Sequence, residues 1–205
     1  MDNTDPPERP DRICHQCLHG GNWKVPPTQW GITEEQFSWV IDQCSTDSRW
    51  PDLVRNVDYK TPDHVNAYQL SANYVKPWTS GTGSSLALLL NHSAPLTVTH
   101  MLSHSWAEDM QQVLEAVQTY CTDSRNKIMT DLEQAEQKPV FFFCLFALYQ
   151  PEDKAGPDIS QQLDMDPFGS IIRSSACSLM VVLHTTTARV YGKTLFPVFF
   201  DLDVC

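Results

Sequence analysis

The chain has 205 residues, a formal charge of −11 and 41 % hydrophobic residues. At this length folding buries about 70 % of the unfolded surface, so a core forms without disulfides or metal. The acidic balance argues against nucleic acid or an anionic membrane as partner, because phosphate contact needs Lys and Arg. Met1-Asp-Asn-Thr-Asp-Pro-Pro-Glu8 lacks the basic and apolar regions of a signal peptide. The longest apolar run, Val140 to Tyr149, is half of the roughly 20 residues that span a bilayer. Seven scattered cysteines suit a reducing compartment. The expectation is a soluble, cytoplasmic protein.

Residues 1–12 are rich in Pro and Asp and read as a disordered tail. Residues 13–60 read as a Cys- and His-containing N-terminal extension with one helix. Its first part, Ile13 to Trp30, is irregular. The helix opens at Thr33, an N-cap whose capping box is completed by Gln36, with Ile32 stapled onto Phe37. Phe37, Val40, Ile41 and Cys44 form its apolar stripe. Ser45 to Lys60 reads as a linker.

Thr61-Pro62 offers a cap followed by proline at the first helical position, and Val65, Tyr68, Ala72 and Val75 continue one face until Pro77 stops the helix. Ser80-Gly-Thr-Gly-Ser-Ser85 resembles a phosphate loop only in composition. It lacks the Gly-Lys-Ser/Thr that follows in a P-loop, so a turn is expected.

The chain is organised around Leu96-Thr-Val-Thr-His-Met-Leu-Ser-His-Ser-Trp-Ala-Glu108. An extended apolar run meets a polar turn, and Ser105 with Glu108 has the spacing of a capping box. Met110, Val113, Leu114, Val117 and Cys121 then recur at helical spacing. A second short stripe, Ile128, Met129, Leu132 and Ala135, ends at Pro139. Val140 to Tyr149 shows no alternation and is rich in aromatics, as in a strand covered on both faces. Pro151 to Gln162 reads as a loop. Asp166-Pro167 repeats the cap-then-proline signature, with Phe168, Ile171 and Ile172 as the buried face. Ser178 to His184 is a third strand, and Leu195 to Phe200 looks extended. Alternating strands and helices predict successive βαβ units and a parallel sheet.

Several segments together resemble a known family. Thr99-His-Met-Leu-Ser-His-Ser-Trp-Ala-Glu108 is similar to the "FVSHxWxE" strand-turn-helix of TIR-like domains, in particular a branch found in protists. Val65-Asn-Ala-Tyr68 with Val75-Lys-Pro-Trp-Thr79 resembles that branch's lead-in helix and its "IKPxT" end. Asp166-Pro-Phe-Gly-Ser-Ile-Ile172 resembles its "DPxxSxF" helix, and Ala188-Arg-Val-Tyr-Gly-Lys193 the approach to its "RLWCxYE" helix.

The resemblance implies an α/β fold, a flavodoxin-like three-layer parallel sheet over residues 61–205. That sheet is incomplete at its C-terminus and carries the helical N-terminal extension. TIR-like domains act as homotypic assembly modules or as enzymes that hydrolyse NAD. Where the family carries Trp-Cys-x-Tyr-Glu this chain reads Leu195-Phe-Pro-Val-Phe199, so the glutamate that is catalytic in enzymatic members is replaced and Pro197 breaks its helix. The expected function is a non-catalytic signalling and interaction module, self-associating or binding a protein partner, with no cofactor. The alternative is an NAD-hydrolysing enzyme with a nucleotide at the strand-to-helix turn.

Candidate ligand contacts are Ser103, His104, Ser105 and Trp106, where unpaired amides and the helix dipole favour an anion, with Arg189 added from the 188–193 segment. His100, mid-strand, reads as a satisfied core histidine. Cys14-x-x-Cys17 with His15 and His19 has zinc-compatible residue types, but a second ligand pair is missing and Cys44 alone is a poor substitute, so no metal is expected. Ser103, Ser105 and His104 are adjacent in sequence, which makes no catalytic triad.

Overall fold

The computed structural model describes residues 6–55, 64–128, 138–183 and 198–201. Five strands form one sheet in the order β1-β3-β2-β4-β5: β1 (Ile32–Thr33), β2 (His100–Ser103), β3 (Val140–Phe143), β4 (Leu179–Val182) and β5 (Val198–Asp201). The three central strands are parallel, with Leu102 registered between Phe143 of β3 and Val181 of β4. Both outer strands run antiparallel to their neighbours. The protein is thus α/β around a mostly parallel sheet, and the expectation of a wholly parallel one is corrected at its edges. Between β4 and β5 no crossover helix is needed for an antiparallel return, whereas β1 reaches β3 from far away in sequence.

Local chemistry explains the elements. Thr33 caps α1 (Glu34–Ser45): its hydroxyl accepts from the Gln36 amide at 3.2 Å while Gln36 accepts from the Thr33 amide at 3.0 Å. The stretch after it is not a bare linker, since α2 (Trp50–Arg55) lies there with Trp50 and Leu53 buried. Thr61 and Pro62 fall outside the described residues. Asn66 caps the next helix instead, through a box with Gln69.

That helix is continuous in three parts, α3 (Ala67–Leu70), a π turn (Ser71–Val75) and α4 (Lys76–Thr79). Pro77 was expected to stop it. A proline has no N–H and crowds the carbonyl four residues back. The π turn shifts the spacing to five, with the Lys76 amide donating to the Ser71 carbonyl, and the helix passes through. Gly-Thr-Gly-Ser forms a turn, and Ser85 caps α5 (Leu86–Leu90), whose Leu86 to Leu89 are buried.

The expected handover of β2 to a helix at Ser105 is corrected. A turn over 104–109 intervenes, held by the Asn66–Asp109 bridge, and α6 (Met110–Ile128) starts five residues later. Its stripe Met110, Val113, Leu114, Val117 and Cys121 is buried throughout. Residues 129–137, with Met129, Leu132 and Ala135, lie outside the described residues.

Val140 to Tyr149 is not one strand. β3 ends at Phe143, and Cys144–Ala147 forms a helical turn, α7. The expected loop at 151–162 contains the start of α8 (Ile159–Asp164), capped by Asp158 with Gln161. Asp166 caps α9 (Pro167–Ile172) as expected, with Pro167 at its first turn. Of its expected buried face only Ile171 is covered, while Phe168 and Ile172 remain 36 % and 40 % exposed.

The sheet carries an apolar layer on each face. Phe141 and Phe143 point with Leu102 and Val181 into a cluster that includes Phe37, Val40, Tyr74, Met110 and Val117. Phe142 and Met101 point oppositely, toward Trp30, Leu88, Val98 and Ile171. The segment expected to be a disordered tail is held in place from Pro7 to Arg12. Pro7 is buried, the Trp78 indole donates to the Glu8 carbonyl at 3.0 Å, and Arg9 reaches the Ser80 carbonyl at 3.2 Å. Ile13, Ile32 and Phe37 belong to the same core as the sheet, so residues 13–55 are built into it. Among the described residues no helix is long and apolar enough to cross a membrane.

Candidate functional site

Parallel strands deliver their next residues to one edge of the sheet. The residues following Leu102 and Phe143 therefore emerge side by side. After β2 the chain turns toward α6, on the face of Phe141 and Phe143. After β3 it enters α7 at once, whose Leu145 and Phe146 join that same cluster before Ala147 and Leu148 turn to the face of Phe142. The carboxyl ends of neighbouring parallel strands are the usual ligand position in such sheets.

His104 and Cys144 stand at that place. The imidazole Nε2 lies 3.5 Å from Cys144 Sγ, and Nδ1 lies 3.0 Å from the Ser105 carbonyl oxygen. A carbonyl only accepts, so Nδ1 carries the proton and Nε2 faces the thiol as an acceptor. The ring packs against Phe143, with centroids 4.4 Å apart. Burial lowers the His104 pKa to about 4, opposed in part by the Ser105 carbonyl. Burial likewise pushes the Cys144 thiol up, opposed by the Trp106 side chain and the amides of Leu145 and Cys144. At neutral pH the resting pair is therefore uncharged, with S–H directed at Nε2.

Two of the four turn residues named from sequence thus converge on one sulfur. Trp106 is half-buried, reaches Cys144, and packs its ring 5.2 Å from that of Tyr68. Ser103 closes β2, and its carbonyl accepts the Leu183 amide at 2.8 Å. Ser105 is exposed and serves the turn: its amide donates to Glu108 Oε2 at 3.1 Å and its hydroxyl accepts from the Ala107 amide at 3.3 Å. The Glu108 and Met110 amides are also taken, by the carbonyls of Ser105 and Val65. Four backbone donors of the turn are thus spent inside the protein, beside the buried Glu108 side chain. Arg189 lies outside the described residues.

His100 is the satisfied core histidine expected. Tyr120 Oη lies 2.7 Å from its Nε2 and Thr99 Oγ1 lies 2.8 Å from Nδ1. The N-terminal Cys and His residues are not gathered. Cys17 is buried against the His92 carbonyl, His15 meets Arg9, and His19 meets the Ser93 carbonyl. Among the described residues no group of three or more His, Cys, Asp or Glu side chains could hold a metal ion.

Cys144 is the member that sequence reasoning passed over. It stands inside an apolar run, where a cysteine reads as a small hydrophobe. The signal that would find it is the register between β2 and β3, which pairs residue 102 with residue 143.

No protein-family model, no curated protein and no solved structure matches this chain.

Proposed function

We propose that this chain is a TIR-like signalling and interaction module that acts by self-association. The observation that carries the reading is the uncovered apolar face of α8 and α9. Leu163, Phe168 and Ile172 stand 45 %, 36 % and 40 % exposed on neighbouring short helices. Exposed apolar side chains on neighbouring helices of an otherwise acidic chain are the kind of surface at which proteins meet. The second support is the placement of the family-like strand and turn. β2 lies at the centre of the sheet between parallel neighbours, which the resemblance requires. The family's glutamate position falls at Phe199, in β5 opposite Val181 rather than in a helix, which favours binding over NAD hydrolysis.

Light scattering across a concentration series tests the reading. The expected outcome is a mass that rises with concentration and a return toward monomer in Phe168→Asp. A strict monomer at high concentration overturns self-association, and a heterologous complex lost in the same variant would redirect the surface to another protein.

A further inference from the structure

We propose that Cys144 is a nucleophile and His104 its general base, forming a site that accepts acyl groups from thioesters. The geometry is the argument. A thiol sulfur lies 3.5 Å from an imidazole nitrogen whose opposite nitrogen is anchored on the Ser105 carbonyl at 3.0 Å. Nucleophile, base and orienting group in sequence is the arrangement that activates a weak nucleophile. The pair stands at the carboxyl ends of the paired strands β2 and β3, where substrates bind in sheets of this kind. It is also outside the assembly face proposed above, so it stands or falls separately.

The walls select the substrate class. Phe143 lies against the imidazole and Trp106 against the sulfur, so the surroundings are aromatic and apolar. Such a lining accepts an acyl chain more readily than a phosphate. Thioester exchange also balances with these groups alone. The Cys144 sulfur adds to the carbonyl carbon while its proton passes to His104 Nε2. The tetrahedral adduct then collapses, the bond to the departing sulfur breaks, and the leaving thiolate recovers the proton from Nε2. One thioester is consumed and one is formed, without oxidant or reductant.

The neutral resting pair makes a distinctive kinetic prediction. A base that is unprotonated above its pKa and a thiol that stays protonated give a rate nearly level from pH 6 to 8. An ordinary thiol, reacting through its thiolate, rises about tenfold per pH unit in that range.

The experiment exposes the full chain to S-hexanoyl-N-acetylcysteamine and follows acylation by peptide mass mapping at each cysteine. Cys14, the other half-buried thiol among the described residues, serves as reference within the same molecule. Cys144 should acylate at least about tenfold faster than Cys14, with the flat pH profile. His104→Asn keeps a donor for the Ser105 carbonyl but has no base, and should slow Cys144 about a hundredfold with the circular dichroism spectrum unchanged. The proposal is overturned if Cys14 reacts first, if the Cys144 rate climbs tenfold per pH unit, or if folded His104→Asn reacts as fast as the parent. The wild-type comparison decides the matter even where the variant does not fold. A monomer in light scattering would leave this result untouched.

Discussion

At the scale of single residues, the chemistry of this protein is set by how burial treats polar side chains. His100 and His104 are both lowered to about 4 by desolvation. A lowered folded pKa means the native state binds fewer protons than the unfolded chain. The associated stability is fully present above the ordinary histidine value of 6.5 and is lost as pH falls toward 4. Two imidazole signals should titrate near pH 4 by NMR, and stability should fall between pH 6.5 and 4. The loss should be about 1 kcal/mol for each histidine, after discounting for their partial exposure. Titration of all imidazoles at their ordinary value would refute the burial described here.

Gln162 shows the same principle for a neutral group. Fully buried, it accepts from the Tyr149 amide at 2.7 Å and from Asn22 Nδ2 at 3.2 Å, and donates to the Tyr149 carbonyl at 2.9 Å. Asn22 in turn accepts the Ser85 amide at 2.6 Å. Gln162→Leu leaves several of these groups without partners in the interior and should cost about 3 kcal/mol in urea unfolding.

At the scale of elements, caps decide where helices begin and tertiary contacts decide how far they run. Thr33→Ala removes one half of the α1 capping box and should cost about 1 kcal/mol, read as a lowered denaturation midpoint at unchanged slope. The boxes at Thr33 and the cap at Asp166 are short-range chemistry and were legible in the sequence. The π turn at Ser71–Val75 was not, because a proline signals a helix end unless packing makes continuation worthwhile. Here Tyr74, Val75 and Trp78 are all buried, and that burial offsets the altered hydrogen-bond spacing. The run Val140 to Tyr149 misled for a related reason. A strand and a helical turn buried on every side look alike when no residue faces water.

At the scale of the whole molecule, three aromatic rings tie the sheet to its helices. Phe37 of α1 stacks on Phe143 of β3 at 4.8 Å and meets Phe146 of α7 edge-on at 5.2 Å. Phe143→Ala should therefore destabilise by about 3–5 kcal/mol in chemical denaturation. It should also release the His104 ring that rests on it, raising that residue's NMR titration midpoint. A drop in stability without that rise would separate the core from the site. On the opposite side of the sheet, Phe168 should behave differently. Phe168→Asp removes a ring that is 36 % exposed and meets Phe142 edge-on at 5.5 Å, and should cost about 1–2 kcal/mol, less than Phe143→Ala, while reducing self-association.

What this sequence settles by itself is local or periodic: the α/β class, a strand within the run from Leu96 to His104, the caps, the stripe of α6, and the histidine that would stay in the core. These follow from contacts within a few residues, whose energies do not depend on the rest of the chain. The register of β2 against β3 and the sides to which their continuations depart depend on how both faces of the sheet are filled at once. Only the tertiary structure therefore brings Cys144 to His104 across 40 positions. The same packing, because α9 has two faces and the core needs one, decides that Ile171 is covered and Phe168 is left partly exposed.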